Sequence, residues 1–422
     1  MGGQSKLAGG GAPVRELAEQ IREALQSFRR DKGWIHEQHL QVCRVPAPTF
    51  LEQKRAEWMQ GQLGGLGWDA QIDRAGNLVA HLRGEAAGPF VALTAHLDTV
   101  LAPRVPEEIS VTPDGRLNGP GVADNGAGLA ALLAIAKVFP GCAALRGTAR
   151  SLLLVANVGE EGEGNLSGMR FLCRQSPFAS RIQAFVVVDG PSTDHITCQA
   201  LASRRFEVSF TGPGGHSWSD YGVGNPVHAL GRAIALFADA PAVLEGTPRS
   251  SFNVGVIEGG MSVNSIPSSA LAKVDIRSES AARIEEAAAA LQAAVERARE
   301  VENERVTAPR GVPGGRITAK IKEIGSRPGG KLPEDAPLLK ALRAVDVHLG
   351  IRAQVDCAST DANVPLSMGI PAVSIGAGGQ GGGAHTMAEW FHAEGRELGL
   401  QRILLTLGVL LGGERISNGR SA

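Results

Sequence analysis

The segment ARSLLLVANVGEEGEGN spans residues 149–165 and joins an apolar run to an acidic loop bracketed by glycines. The apolar run is typical of a buried strand in a sheet that is covered on both faces. The loop places Glu160 next to Glu161, although adjacent carboxylates repel each other. Neighbouring side chains of a strand point to opposite faces, whereas a loop lets both carboxylates turn to one site. The pair therefore indicates a site that needs two acidic groups together.

Three further apolar runs have the same character: FVALTAHLDT (90–99), QAFVVVDG (183–190) and PAVSIGAG (371–378). Helical patterns lie between the runs, at 125–139 and 168–175. This alternation of strands with helices predicts an α/β fold. In that fold a mixed, largely parallel sheet carries helices on both faces.

The middle of the chain, residues 201–327, has a different pattern. It predicts the order βαββαβ, which gives a four-stranded sheet with two helices on one face. The predicted strands are at 204–212, 250–260, 270–280 and 316–325, and the predicted helices are at 225–239 and 281–300. We therefore predict a main domain split into residues 13–200 and 328–422, the inserted smaller domain at 201–327, and a flexible tail over residues 1–12.

The composition excludes several classes of protein. The chain has 422 residues, enough for two domains, and a formal net charge of −1. Without an excess of basic residues, neither nucleic acid nor an anionic membrane is an expected partner. We find no apolar run of about 18 to 20 residues, the length needed to cross a bilayer. Five widely spaced cysteines and the lack of a secretory signal favour a reduced, cytoplasmic protein.

Two histidines and four carboxylates follow predicted strands or open the next helix: His96, Asp124, Glu160, Glu161, Asp189 and His385. In an open α/β sheet, ligands bind in the crevice beyond the carboxyl ends of the strands. Imidazole and carboxylate ligands without cysteine suit zinc, with manganese or cobalt as substitutes. The set is too large for one tetrahedral ion and fits two ions that share a carboxylate. One glutamate of the pair would then bind a cation, and the other would serve as a general base.

Each of these residues has a plainer explanation when it is considered alone. Asp124 would cap the following helix, Asp189 would be a turn residue before Gly-Pro, and His385 would be an exposed loop residue. His96 and Asp98 are two residues apart in one apolar run, so both would face the same side of a strand. Asp98 would then fix the tautomer of a metal-bound His96. The clustering of the whole set favours the metal site.

Taken together, these residues resemble those of the di-zinc peptidase family that includes glutamate carboxypeptidase, aminoacylase, succinyl-diaminopimelate desuccinylase and the bacterial tripeptidase. The resemblance extends over about residues 35–412 and rests on six motifs in order: AHLDTV, GPGVADNGAG, GEEGEG, VVVDG, GPGGHS and GGGAHT. The motifs are specific as a set, although no single one would be. The resemblance implies that the inserted βαββαβ unit is a lid or dimerisation domain, so we expect a homodimer.

The resemblance also implies a role for each residue of the cluster. Glu160 would be the general base and proton shuttle. Asp98 would contact His96 on the side of its ring that faces away from the metal. The zinc ligands would be divided between two ions, with a cis peptide bond after the bridging residue. His96 and Asp189 would hold one zinc ion, Glu161 and His385 the other, and Asp124 would bridge them.

Three residues of the inserted domain complete the implied site. In the family, the histidine that matches His216 reaches the active site of the neighbouring subunit and polarises the scissile carbonyl. Asn264 would bind the carbonyl region, and Arg277 would bind the free carboxylate of the substrate. A guanidinium can grip a carboxylate through two hydrogen bonds, and an imidazole or amide donor can stabilise an oxyanion. Considered alone, His216 would be a loop residue, Asn264 a turn residue and Arg277 a charged residue at the end of a strand.

These features predict zinc-dependent hydrolysis of an amide bond. We expect a small-peptide exopeptidase or dipeptidase, and the alternative is an N-acyl-amino-acid deacylase. A non-catalytic relative that binds peptide or metal is a remote alternative, because Glu160 and every implied ligand are present. The glycine run GAGGQGGG (376–383) is a poor phosphate-binding loop, since it lacks the lysine of a P-loop and ends in Ala-His-Thr.

Overall fold

The computed structural model describes residues 11–85, 88–241, 247–307 and 315–412. The tail predicted over residues 1–12 lies outside the described residues, except that Gly11 and Ala12 begin a helix. The chain divides into two compact units, in which Leu201–Gly329 forms the second unit and the sequence on both sides of it forms the first. The insertion predicted at 201–327 falls within the second unit.

Strands are numbered in chain order through both units. They are β1 (Trp68–Ile72), β2 (Leu78–Leu82), β3 (Phe90–His96), β4 (Ser110–Val111), β5 (Leu117–Asn118), β6 (Ser151–Asn157), β7 (Ile182–Val188), β8 (His195–Ala200), β9 (Ala202–Thr211), β10 (Gly215–His216), β11 (Ser250–Gly259), β12 (Ser265–Ile266), β13 (Ser269–Ser278), β14 (Thr318–Arg327), β15 (Gly330–Lys331), β16 (Gln354–Ala358), β17 (Ala372–Ile375), β18 (Gln380–Gly382) and β19 (Trp390–His392).

The helices of the described chain are numbered in the same way. They are α1 (Gly11–Gln20), α2 (Arg22–Arg30), α3 (Lys32–Arg44), α4 (Gln53–Gly65), α5 (Gly126–Val138), α6 (Ser167–Arg174), α7 (Pro226–Ala238), α8 (Ala281–Glu304), α9 (Pro337–Leu349), α10 (Asn363–Ser367) and α11 (Arg396–Gly412). Among the described residues, no helix combines the length and the apolar character needed to cross a membrane.

A mixed sheet of nine strands forms the centre of the first unit, as far as the structure describes it. The strand order is β1-β2-β6-β3-β7-β17-β8-β15, and β16 also pairs with β8. The central pairs β6–β3, β3–β7 and β7–β17 are parallel, whereas β1–β2, β2–β6 and β8–β15 are antiparallel. The prediction of an α/β fold with a mixed sheet is therefore confirmed.

Burial explains why the central strands have continuous apolar sequences. All seven residues of β3 are buried, and so are all but one residue of β6 and of β7. Successive side chains of a strand point to opposite faces, so both faces of this sheet must be covered. Because these strands are parallel, the residues that follow them meet at one edge of the sheet.

The second unit contains a separate antiparallel sheet with its own apolar core. The strand order is β11-β13-β9-β14, and helices α7 and α8 contact each other and the sheet. The chain order of these elements is β9-α7-β11-β13-α8-β14, which is the predicted βαββαβ pattern with two short strands added, β10 and β12. Alternate residues of β13 are buried, as expected for a sheet covered on one face only.

Candidate metal centre

Asp124 lies at the centre of the acidic cluster, two residues before α5 begins. One carboxylate oxygen, Oδ1, is 3.0 Å from Nε2 of His96, and the other, Oδ2, is 3.1 Å from Nε2 of His385. Oε1 of Glu161 lies 2.9 Å from the same His385 nitrogen, and Oδ1 of Asp189 lies 3.7 Å from Nε2 of His96. The two oxygens of one carboxylate thus face two separate groups of side chains.

His96 presents to this cluster the nitrogen that a cation would bind. Its Nδ1 lies 2.9 Å from the backbone oxygen of Asp98, and this nitrogen carries a hydrogen because a carbonyl oxygen only accepts. In the neutral ring, the lone pair of Nε2 then points at the carboxylates of Asp124 and Asp189. Such an arrangement is repulsive unless a proton or a metal ion lies between these atoms. The nitrogen and oxygen donors therefore fit a dication such as zinc.

Three overlapping groups of side chains have ligand atoms within 4.8 Å of one another, which is close enough to hold a metal ion. The first and third groups have only Asp124 in common, and the second adds Glu160 to the cluster. The structure thus brings all five sequence-predicted ligands and the predicted base together. The groups are His96–Asp124–Asp189, His96–Glu160–Glu161 and Asp124–Glu161–His385.

The proton affinities of the cluster reflect its crowding. Burial lowers the pKa of His96, but hydrogen bonds to Asp124 and Asp189 outweigh burial and raise this pKa well above its usual value. A hydrogen bond to Asp124 raises the pKa of His385 to about 9. Burial, followed by the negative charge of Asp124, raises the pKa of Glu161 to about 7. Protons and a metal cation therefore compete for the same atoms.

His385 enters the cluster from a loop between β18 and β19. Its backbone φ is 64°, a conformation that a residue other than glycine seldom adopts, and its side chain is 52% exposed. The residue is exposed, as expected for an ordinary loop histidine, but its ring also faces Asp124 and Glu161. It is thus the member of the cluster most open to solvent.

A fully buried carboxylate holds the acidic loop after β6. Oδ1 of Asp98 accepts the backbone N–H of Glu160 at 3.0 Å, and Oδ2 accepts that of Glu161 at 2.9 Å. The hydroxyl of Thr49 donates to the same Oδ2 at 3.0 Å. These bonds fix the loop backbone, so that both glutamate side chains reach one site, as their sequence predicts.

Asp98 lies beside the ring of His96, but it is not part of the strand that carries His96. Strand β3 ends at His96, so the alternation of strand residues does not place Asp98. Its Oδ1 lies 3.6 Å from Nδ1 of His96, farther than its backbone oxygen. Its carboxylate accepts hydrogen bonds from the hydroxyl of Thr49 and from loop amides 62 and 63 residues away, which no local pattern reveals.

Asn125, and not Asp124, caps helix α5. Its side-chain oxygen accepts a backbone N–H from the first turn of α5 at 3.0 Å. Its Nδ2 donates to the backbone oxygen of Val188 at 2.8 Å, and Gly190 donates back to Oδ1 at 3.2 Å. The peptide bond between Asp124 and Asn125 is cis. Asn125 therefore ties the segment carrying Asp124 to the end of β7, where Asp189 lies.

Two buried carboxylates near the cluster were missed by the sequence reasoning. Asp361 is fully buried and accepts a hydrogen bond from Nδ2 of Asn157 at 2.6 Å, and burial is the main reason that its pKa is raised to about 7. Glu389 accepts three backbone N–H groups from the segment that leads to Asp124. Neither residue directly follows a predicted strand or opens a predicted helix, and these two positions identified the others.

The other predicted site residues belong to the second unit. Strands β10 and β12 pair, and the backbone N–H of Ser217 donates to the oxygen of Asn264 at 2.9 Å, which places His216 next to Asn264. Both predicted residues are exposed. Arg277 lies on β13 and donates through Nε to Oδ2 of Asp275 at 2.6 Å. It therefore has a carboxylate partner on its own strand.

A model of peptidase family M20/M25/M40 matches residues 92–407, which is most of the chain. The chain belongs to this family. The name of the family describes peptidases. The family's metal dependence agrees with the cluster of ligand atoms described above.

Curated relatives of this M20/M25/M40 peptidase carry the names of several hydrolases. It is 32% identical over 217 residues to a probable carboxypeptidase of Aspergillus terreus, covering 48% of this chain and 47% of the relative. It is 27% identical over 258 residues to a succinyl-diaminopimelate desuccinylase of Rhodospirillum centenum, covering 56% and 65%. The match thus spans about half the length of the Aspergillus protein.

Solved structures share the fold over nearly the whole chain. The aminopeptidase PepT of Bacillus cereus aligns with a TM-score of 0.67 and 18% identity, covering 89% of this chain and 97% of the other. The di-peptidase Dug1p of Saccharomyces cerevisiae aligns with a TM-score of 0.71 and 14% identity, covering 94% and 99%. At these identities the likeness establishes the fold alone.

Proposed function

We propose that the protein hydrolyses small peptides of two or three residues as a zinc-dependent exopeptidase or dipeptidase. The observation that carries the proposal is the carboxylate of Asp124, whose two oxygens face His96 on one side and His385 on the other. A single ion would not need a shared carboxylate placed in this way. Two zinc ions per chain account for it, with cobalt or manganese as substitutes.

The ligands fall into two sets around the shared residue. His96 and Asp189 would hold one ion, Glu161 and His385 would hold the other, and Asp124 would contribute one oxygen to each. When bound, the ions would lower the pKa of a water molecule and polarise the scissile carbonyl. The remaining chemistry belongs to the side chains of the protein.

Glu160 is the residue we assign as the general base. Its carboxylate lies in the group His96–Glu160–Glu161, and its backbone is held by Asp98. In the proposed reaction this carboxylate accepts a proton from the attacking water and later delivers it to the leaving amine. Asp98 acts as a positioning residue, because it fixes the loop and also contacts the ring of His96.

The second unit would supply recognition of the substrate. Arg277, oriented by Asp275, would bind the free carboxylate of a peptide through two hydrogen bonds. Asn264 and His216 would bind the scissile carbonyl and stabilise the oxyanion, with His216 acting on the site of a second subunit. A homodimer through this unit is part of the proposal. The five cysteines, none of which forms a disulfide in the described part of the chain, support a reduced, cytoplasmic compartment.

A second candidate is an N-acyl-amino-acid deacylase. The relative named succinyl-diaminopimelate desuccinylase favours this alternative, and the proposed ligands and base would serve either substrate. The test is a panel of dipeptides, tripeptides and N-acyl amino acids assayed with zinc-loaded protein. We expect the highest kcat/KM for an unblocked dipeptide or tripeptide, lost on chelation and restored by zinc or cobalt. A preference for acylated amino acids would favour the alternative, and no metal-dependent turnover of any of them would contradict both.

A further inference from the structure

The segment Gly121–Asp124 reaches the cluster as irregular backbone, with no strand or helix to position it. Its N–H groups converge on one side chain. Oε2 of Glu389 accepts the N–H of Gly121 at 2.9 Å, and Oε1 accepts those of Ala123 at 2.7 Å and Asp124 at 2.8 Å. The backbone oxygen of Glu389 also accepts the N–H of Gly119 at 2.9 Å. Glu389 thus accepts hydrogen bonds from four backbone N–H groups of the segment that leads to Asp124.

Two other side chains, those of His39 and Arg396, hold the backbone carbonyl side of the same segment. Nε2 of His39 lies 2.6 Å from the backbone oxygen of Val122, and Nη2 of Arg396 lies 2.6 Å from Nδ1 of His39. A guanidinium only donates, so Nδ1 of His39 accepts and its Nε2 carries the hydrogen. All the side chains involved are buried. The segment is therefore clamped by an acceptor on its amide side and a donor on its carbonyl side.

Close packing leaves this segment little room to shift. A Cβ atom at Gly121, whose φ is +77°, would lie 2.5 Å from Cγ2 of Thr99. A Cβ atom at Gly126 would lie 2.3 Å from Sγ of Cys43 and 3.1 Å from Nε2 of His39. Neighbouring side chains thus pack against the backbone where the clamp holds it. The direction of the Asp124 carboxylate is therefore set before any ligand binds.

We propose that Glu389 is a positioning residue that fixes the Asp124 carboxylate between the two sets of metal ligands. The inference rests on the proposed function of the cluster as a metal centre. Glu389 binds no metal in this arrangement, because both of its oxygens are directed at backbone amides. Its charge matters as well as its shape, since an amide side chain would turn its NH2 group toward one of these donors.

The experiment is a titration of the metal-free protein with Co²⁺ in competition with a chromophoric chelator. Glu389→Gln is compared with Glu394→Gln, an exposed neighbour that lies outside the clamp. We expect Glu389→Gln to lose roughly 10- to 100-fold in Co²⁺ affinity and to change the visible spectrum of bound cobalt, with circular dichroism unchanged. Glu394→Gln should match the wild type. Glu389→Asp, which keeps the charge on a shorter side chain, should recover part of the affinity.

The outcomes separate this inference from the proposed function. Wild-type protein that binds no Co²⁺ would contradict the metal centre itself. Wild-type protein that binds Co²⁺, together with Glu389→Gln that binds it equally tightly and with the same spectrum, would overturn only the role of Glu389. If Glu389→Gln does not fold, Glu389→Asp decides, because unchanged affinity and spectrum in that variant would contradict the clamp.

Discussion

The predicted site residues of the first unit and those of the second unit are held in different ways. In the first unit His96, Glu160 and Glu161 are buried and lie within one cluster of ligand atoms. In the second unit His216 and Asn264 are exposed, and Arg277 has one carboxylate partner. The first set is organised by the fold before a ligand arrives. Under the proposed function the second set would gain further contacts from a substrate or another subunit, so we expect mutations to act differently in the two units.

The largest effect is expected from removing the shared ligand of the first unit. Asp124→Asn keeps the size of the side chain but loses the charge that would serve two cations at once. We expect loss of at least one bound metal ion per chain and activity below detection, measured by elemental analysis and peptide hydrolysis. Asp114→Asn, an exposed acidic control, should change neither. A fully active Asp124→Asn enzyme with an unchanged metal content would contradict the bridging role.

The next effect separates chemistry from metal binding within the first unit. Glu160→Gln should retain the bound metal and lower kcat by roughly 100- to 10,000-fold, the range that a general base contributes. Glu163→Gln is the matched control, because Glu163 is an exposed residue of the same loop. Metal loss in Glu160→Gln would show that this residue is a ligand. Undiminished turnover would show that another group moves the proton.

A smaller effect is expected in the second unit. Arg277→Lys keeps the charge but removes the planar fork that binds a carboxylate through two hydrogen bonds. We expect about a 10- to 100-fold loss in kcat/KM for a peptide with a free carboxyl terminus, from the energy of a charge-assisted hydrogen bond. Metal content should stay unchanged, unlike in Asp124→Asn.

Two controls make the Arg277 test specific. Arg204→Lys alters another ion-paired arginine of the same sheet, which pairs with Glu285 and Glu323, and it should have little effect. A substrate amidated at its carboxyl terminus should be cleaved poorly and equally by wild type and Arg277→Lys. If Arg277→Lys were as active as wild type on the free peptide, the carboxylate of the substrate would have to bind elsewhere.

The difference between the units also explains what the sequence could predict. The cluster was predictable because parallel strands end at one edge of a sheet, so residues after separate apolar runs must meet. The roles of Glu389 and of the Asp98 carboxylate were not predictable, because they accept backbone amides 265 to 268 and 62 to 63 residues away. Any acidic residue can accept a backbone amide, so residue type and spacing do not mark this role. Asp275 and Arg277 are two residues apart on β13, so they face the same side of the strand, and this spacing is enough to predict their ion pair.

The smallest effect concerns the pH dependence of stability when metal is removed from the first unit. The pKa of His385 is raised from 6.5 to about 9, and that of Glu161 from 4.5 to about 7. A group whose pKa is raised on folding stabilises the folded state below its unfolded pKa, and this contribution is lost as the pH rises through the folded pKa. The two shifts therefore have the same sign, and the chelated protein should become less stable as the pH rises from about 5 to about 9.

Calorimetry with and without metal would test whether the stability of the chelated protein falls as the pH rises. Solvent screens the half-exposed His385, so we expect the melting temperature of the chelated protein to fall by only a few degrees. Saturating zinc should remove the fall, because the metal replaces the protons and binds more tightly as they leave. In His385→Gln the fall above pH 7 should be weaker than in wild type, while the fall below pH 7, which comes from Glu161 and Asp361, should persist. A chelated wild-type protein that grows more stable between pH 7 and 9 would mean that the carboxylates do not hold a proton on His385, and the electrostatic reason for a cation in the cluster would be lost.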